Sequence, residues 1–282
     1  MSAKPEEQSA KKQYGGWNKQ YQHHSKTLGC DMKFSVFTPP AADKQKVPVL
    51  YFLSGLTCDD QTFIVKSNAQ RKASEHGIAL VTCDTSPRGL NIDGEEEDWD
   101  FGTGAGFYLN ATKSKWKQYR MYDYVVKELP EVLQSLAGLD VHKASVFGHS
   151  MGGHGALTIF LKNADVYKSV SAYAPICNPI NVQWGQKAFS GYLGDDQSTW
   201  KQYDATELVK QYKGPKVPVL IDIGTLDNFK DKQLSPEAFQ KAAEGKLDVQ
   251  LRLQDGYDHS YFTISTFIDD HINHHAKALC KM

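Results

Sequence analysis

The stretch Lys143-Ala-Ser-Val-Phe-Gly-His-Ser-Met-Gly-Gly-His-Gly-Ala-Leu157 constrains the fold of this 282-residue chain more than any other. An apolar run, Ala144 to Phe147, enters Gly148-His149-Ser150-Met151-Gly152 and leaves into a segment of helical character, 153–161, whose first residues are small. A serine at the apex of so sharp a turn occupies strained backbone. Side chains at positions 148 and 152 would clash with the incoming strand and the outgoing helix, which is why glycine stands at both. The turn lifts the Ser150 hydroxyl clear of the sheet, and this strand-turn-helix context is what the Gly-x-Ser-x-Gly pattern requires to be a nucleophile elbow.

The rest of the chain alternates in the manner such an elbow needs. Strands are expected at 34–38, 47–53, 78–83, 169–174, 217–223 and 247–253, with helices at 67–76, 121–136, 236–244 and 261–278. Strands separated by helices predict a mostly parallel central sheet covered by helices on both faces, the α/β-hydrolase fold, with the elbow strand in its middle. Residues 85–117, rich in Gly, aromatic and acidic residues and without clear period, are too long for a simple connection and read as a functional excursion over the sheet. No repeat or Pro/Gly/Ser-rich linker divides the chain, so residues 14–282 are expected to form one domain behind a flexible polar tail, residues 1–13.

Composition excludes several classes. Net charge is −1 and no basic face stands out, so no nucleic-acid partner is expected. No run of about eighteen apolar residues exists, which argues against a membrane span. The polar start lacks the apolar core of a signal peptide, and five unpaired-looking cysteines fit a reducing compartment, so the expected location is cytoplasmic. His271, His274 and His275 cluster near the C-terminus without a nearby cysteine; they read as helix surface, and no metal site is expected.

A serine hydroxyl is a poor nucleophile at neutral pH and needs a base and a group to orient that base. On this fold they follow in the order acid, then histidine, just past the ends of later strands. Asp227, in Gly224-Thr-Leu-Asp-Asn-Phe, lies in a loop, whereas its competitor Asp222 lies inside a strand and would need another partner. His259, in Gln254-Asp-Gly-Tyr-Asp-His-Ser-Tyr, follows the last strand and is the expected base; His149 and His154 read as packing or hydrogen-bonding residues, and Asp255 and Asp258 as caps of the last helix. A developing oxyanion requires two donors, expected from the backbone N–H groups of Met151 and Leu56, with Gly55 allowing the loop its path.

The strings Leu53-Ser-Gly-Leu-Thr-Cys58, Asp84-Thr-Ser-Pro-Arg-Gly89, Trp99-Asp-Phe-Gly-Thr-Gly-Ala-Gly-Phe-Tyr108, Phe147 to Ala156, Ala174-Pro-Ile-Cys-Asn-Pro179 and Gly256-Tyr-Asp-His-Ser-Tyr261 resemble the S-formylglutathione hydrolase (esterase D) family from about Tyr14 onward. The resemblance implies hydrolysis of S-formylglutathione to glutathione and formate, in formaldehyde detoxification, by a homodimer without cofactor. It implies Ser150, Asp227 and His259 as the triad and Leu56 and Met151 as oxyanion donors, with side activity on small acyl esters. The chain departs from the family's common pattern at Phe52, where tryptophan is frequent, and at Ile223, where glutamine is frequent near the acid. For the substrate pocket the sequence offers Cys58, two residues past Leu56, with Trp184 as a wall and Lys187 as a carboxylate partner. The alternatives on the same fold are a general small-acyl carboxylesterase and an acyltransferase.

Overall fold

The run Val47-Pro-Val-Leu-Tyr-Phe-Leu53 is apolar throughout because both faces of the strand it forms are covered. Alternation along it sorts the side chains: Val49, Tyr51 and Leu53 enter one core layer, Leu50 and Phe52 the other. The computed structural model describes residues 4–280. Among them the strands are β1 (Glu6–Gln13), β2 (Gly16–Ser25), β3 (Cys30–Thr38), β4 (Val47–Leu53), β5 (Ala79–Cys83), β6 (Leu139–His149), β7 (Tyr167–Tyr173), β8 (Pro218–Gly224) and β9 (Asp248–Gln254). They form one sheet in the order β1-β2-β3-β5-β4-β6-β7-β8-β9. Pairing from β5 through β9 is parallel, and β1, β2 and β3 extend the sheet antiparallel. The elbow strand β6 lies between β4 and β7, as expected, so a hydroxyl at its C-terminal end stands over the middle of the sheet.

The helices are α1 (Asp60–Lys66), α2 (Ala69–His76), α3 (Met121–Asp123) and α4 (Leu129–Leu133), joined by a π-helical turn at Tyr124–Glu128. They continue with α5 (Met151–Lys162), α6 (Gln183–Leu193), α7 (Ala205–Lys210), α8 (Pro236–Ala242) and α9 (Tyr261–Leu279). Helices α1, α2 and α9 cover the face that carries Leu50 and Phe52, where the Phe52 ring stacks on Phe63 at 3.7 Å and meets Phe147 edge-on at 4.8 Å. The departure Phe52 therefore fills a fully buried aromatic site. Helix α5 leads the opposite layer.

Three expectations need correction. Residues 6–13, placed in a flexible tail, form β1; its side chains are mostly exposed, and the ladder to β2 holds it without apolar burial. The helix expected over 67–76 is α2 alone, and a separate helix, α1, precedes it. The Asp59 carboxylate accepts the Gln61 and Thr62 N–H groups, and the Thr62 hydroxyl oxygen accepts the Asp59 N–H, a capping box in a stretch the sequence reading left unassigned. The histidines of α9 lie on its inner side: His271 and His275 are fully buried, and only His274 is part-exposed. His275 bonds the Ser169 and Ser171 hydroxyls through its two ring nitrogens at 2.7 and 2.8 Å, and His271 bridges Ser171 and Asp222 at 2.8 and 3.2 Å. Their spacing of four puts both on one helical face, but the polar partners that make burial possible come from β7 and β8 and cannot be read from α9 alone.

Burial holds His271 below and His275 well below the ordinary histidine value of 6.5, and pushes His274 down to about 4. The unfolded chain therefore binds protons near pH 6.5 that the folded chain refuses, so the stability these groups contribute is present above that pH and lost as pH falls below it. The unfolding temperature is expected to fall steadily from about pH 7 to about pH 4.5, by calorimetry at constant ionic strength. A flat profile across that window contradicts the neutral, buried state of these rings.

Candidate active site

Ser150 is the residue between β6 and α5 and has φ 58° and ψ −119°, a conformation rare for a residue with a side chain. The surrounding glycines explain how the turn closes. A Cβ on Gly148 would lie 2.2 Å from the Gly152 carbonyl oxygen, and one on Gly152 would lie 1.9 Å from the Leu53 carbonyl oxygen, so neither position accepts any other residue without moving backbone. The Ser150 N–H donates to the Tyr173 carbonyl at 2.9 Å, which ties the elbow to β7.

The Ser150 hydroxyl is 2.9 Å from His259 Nε2, and His259 Nδ1 is 2.6 Å from Asp227 Oδ2. The partners assign the tautomer: a carboxylate accepts, so Nδ1 carries the proton and Nε2 is free to accept from the serine. The other carboxylate oxygen, Oδ1, accepts the Phe229 N–H at 2.8 Å, a backbone bond that fixes Asp227 although position 223 carries the apolar Ile223. The loops bearing acid and base are joined to each other, with the Thr225 N–H on the Gln254 carbonyl and the Leu226 N–H on the Tyr257 carbonyl, both at 2.9 Å. Gly224 permits this approach, since a Cβ there would lie 2.1 Å from the Tyr257 carbonyl oxygen.

Asp222 has the different partner its in-strand position called for. Its carboxylate accepts from Arg252 Nε at 2.6 Å and Nη2 at 2.5 Å, from Gln254 at 3.2 Å, and faces His271. Burial raises its pKa, but the bonds from Arg252 and His271 outweigh that and hold the carboxyl at about 2. Asp258 accepts the Ser260 N–H at the start of α9, whereas Asp255 bonds the Thr225 hydroxyl at 3.3 Å and is not a helix cap.

The N–H of Met151 belongs to the first turn of α5 and has no intrahelical acceptor. Neither it nor the N–H of Leu56 donates to a protein acceptor among the described residues. Gly55 brings the Leu56 loop against the elbow: a Cβ there would be 3.2 Å from both Ser150 Cβ and the His149 carbonyl oxygen. The excursion at 85–117 supports that loop from outside, because the Thr57 N–H, on a residue with φ 67°, donates to the Gly104 carbonyl at 3.0 Å. A serine activated by an oriented imidazole, with free backbone donors beside it, is an arrangement able to attack an acyl carbon and hold the resulting oxyanion.

Above Ser150 and His259 lies a cavity of about 270 Å³. Leu56, Cys58 and Trp184 line it. Lys187 does not; its ammonium pairs with Asp98 at 3.0 Å and with Asp100. The sequence reading missed Trp99 and Phe229, which complete an aromatic wall: Trp99 meets Trp184 at 5.6 Å, Trp184 meets Phe229 at 4.6 Å, and Phe229 meets the His259 ring edge-on at 5.0 Å. Trp99 comes from the aperiodic excursion, where no spacing signals a direction. His149 also borders the cavity, 4.5 Å from the His259 ring, and burial keeps it neutral, well below the ordinary histidine range. His154 instead packs beneath, with Nε2 2.9 Å from the Phe107 carbonyl oxygen.

Burial pushes the Cys58 thiol pKa up, so thiolate is scarce at neutral pH and reaction with alkylating agents should be slow but accelerate as pH rises. An adduct in so small a cavity would obstruct access to Ser150. Bulky maleimides are therefore expected to inactivate the protein, and Cys58→Ser to retain much of its turnover and resist them. Unaltered sensitivity in Cys58→Ser rules this out.

The Esterase family model matches residues 25–277. The chain is 60% identical over 271 residues to an S-formylglutathione hydrolase of Arabidopsis thaliana, covering 95% of each protein. It is 58% identical over 274 residues to an S-formylglutathione hydrolase of Bos taurus, covering 96% of this chain and 97% of that protein. Among solved structures, an S-formylglutathione hydrolase from Agrobacterium tumefaciens superposes with a TM-score of 0.94 at 44% identity, covering 97% of this chain and 99% of that one. With a catalytic-type elbow, an extended α/β sheet and this degree of likeness over nearly its whole length, the chain belongs to the S-formylglutathione hydrolase family of esterases.

Proposed function

We propose that this chain hydrolyses S-formylglutathione to glutathione and formate, with Ser150 as nucleophile, His259 as general base and Asp227 as the group that orients the imidazole. The observation that carries the reading is the hydrogen-bonded chain from Ser150 through His259 to Asp227 at the floor of a small cavity. His259 Nε2 takes the hydroxyl proton as Ser150 Oγ attacks the formyl carbon, and the Leu56 and Met151 N–H groups hold the oxyanion. Collapse breaks the carbon–sulfur bond, the sulfur leaves as glutathione with the proton from His259, and a formyl-serine remains. Water, deprotonated by His259, then attacks that ester, releasing formate and restoring Ser150. Protein groups supply the nucleophile, the base and the oxyanion donors, and water supplies the second nucleophile. The small cavity favours short acyl groups, so small aryl esters react as secondary substrates. The protein acts in the cytoplasm as a homodimer; no helix of the described residues is long and apolar enough to cross a membrane.

The purified protein is expected to release formate and free glutathione in equal amounts from S-formylglutathione, with no formate ester formed when an alcohol is added. Accumulation of the alkyl formate instead would favour acyl transfer, and no release at all would refute the reading.

A further inference from the structure

Most cations near the cavity are already paired. Lys187 is held by Asp98 and Asp100, Arg88 lies 3.1 Å from Asp84 and donates to the Cys58 carbonyl at 3.0 Å, and Lys230 pairs with Asp231 at 2.8 Å. Lys66, the last residue of α1, differs. It lines the cavity, is exposed, and has no carboxylate partner among the described residues. Its ammonium lies 5.7 Å from the centroid of the Tyr261 ring, that ring lies 6.1 Å from His149, and His149 lies 4.5 Å from His259. The charge thus stands on the wall that leads to the reaction centre. No aspartate or glutamate lines the cavity, so nothing in the wall neutralises it.

An unpaired ammonium beside aromatic surface attracts an anion more strongly than one in open water. Building on the function proposed above, we infer that Lys66 anchors the leaving thiol by binding the glycyl carboxylate of glutathione, the role the sequence alone had offered to Lys187. Of the two carboxylates on that thiol, the glutamyl one sits beside its own ammonium and is internally compensated, while the glycyl one carries an uncompensated charge. The wall offers no acidic group to receive the glutamyl ammonium, which leaves the glycyl end as the complementary one. The cysteinyl-glycine arm spans about 7 Å when extended, and Lys66 and Ser150 line the same cavity of about 270 Å³. Lys66 Nζ donates to the carboxylate oxygens and acts on binding, remote from the reacting atoms. The site therefore prefers thioesters of anionic thiols over those of neutral ones.

The test compares S-formylglutathione with its glycinamide analogue, in which that carboxylate is an uncharged amide. Wild-type protein is expected to favour the acid by about tenfold in kcat/KM, mainly through KM, with the preference shrinking as salt is raised. Lys66→Met should remove the preference by losing efficiency on the acid while changing far less on the amide, and Lys66→Arg should keep most of it. Equal losses on both substrates in Lys66→Met would mean a structural role and overturn the inference, as would a wild-type preference that survives the substitution. Failure of wild-type protein to turn over either thioester would instead refute the function itself, a distinguishable outcome.

Discussion

Ser150→Ala and His259→Ala are each expected to lower kcat/KM on S-formylglutathione by at least about a thousandfold, because one removes the proposed nucleophile and the other its proposed base. The two aspartates separate the account more finely. Asp227→Asn keeps the size of the side chain but offers an N–H to a ring nitrogen that must itself donate, which favours the wrong imidazole tautomer; a fall of at least about a hundredfold is expected. Asp222→Asn leaves His259 untouched. Its cost falls on stability, because the Arg252 guanidinium, bonded at 2.6 and 2.5 Å, loses half of its buried anionic partner. Arg252 is partly exposed and keeps Asp270 at 2.8 Å, so the lost charge-assisted bond costs about 1.5–3 kcal/mol, and the variant should melt earlier yet keep turnover near wild type while folded. Steady-state kinetics beside thermal melts of both variants check this. If Asp222→Asn lost turnover as Asp227→Asn does, the assignment of the acid would be wrong.

How much of this was legible in the sequence depends on how local the signal is. The elbow is written into consecutive residues, since Gly148 and Gly152 are required by contacts within one turn and with the end of β4. Asp227 and His259 were readable because each follows a strand by a few residues, and the order of elements fixes on which edge such loops gather. The partners of Asp222 were less visible. A strand aspartate announces that it needs a cation, but β9 pairing in register, with Asp222 opposite Arg252, selects which one. The inner placement of His271 and His275 depends on serines of β7, and β1 depends on ladder bonds to β2 rather than on apolar alternation. The substrate wall was the least legible part. Trp99 arrives from a segment without period, Lys187 is diverted by aspartates on either side of that tryptophan, and Lys66 belongs to a seven-residue helix that the sequence reading left unassigned.

The second large effect concerns selectivity. A formyl group offers almost no surface to bind, so discrimination must come from the leaving group. Glutathione carries two carboxylates, an ammonium and two amides, enough for contacts far from the thioester whose binding energy can align the carbonyl against Ser150. S-formylglutathione is expected to exceed a simple aryl acetate in kcat/KM by at least about a hundredfold, equivalent to about 2.7 kcal/mol of transition-state binding. Part of that difference is the intrinsic reactivity of a formyl thioester. The most direct measurement therefore keeps the reacting bond constant and changes only the thiol, comparing kcat/KM for S-formylglutathione with that for S-formyl-N-acetylcysteamine on the same purified protein. At least a tenfold preference, about 1.4 kcal/mol, is predicted for the glutathione thioester. Equal efficiency on the two would contradict the account and leave a small-acyl esterase indifferent to its leaving group.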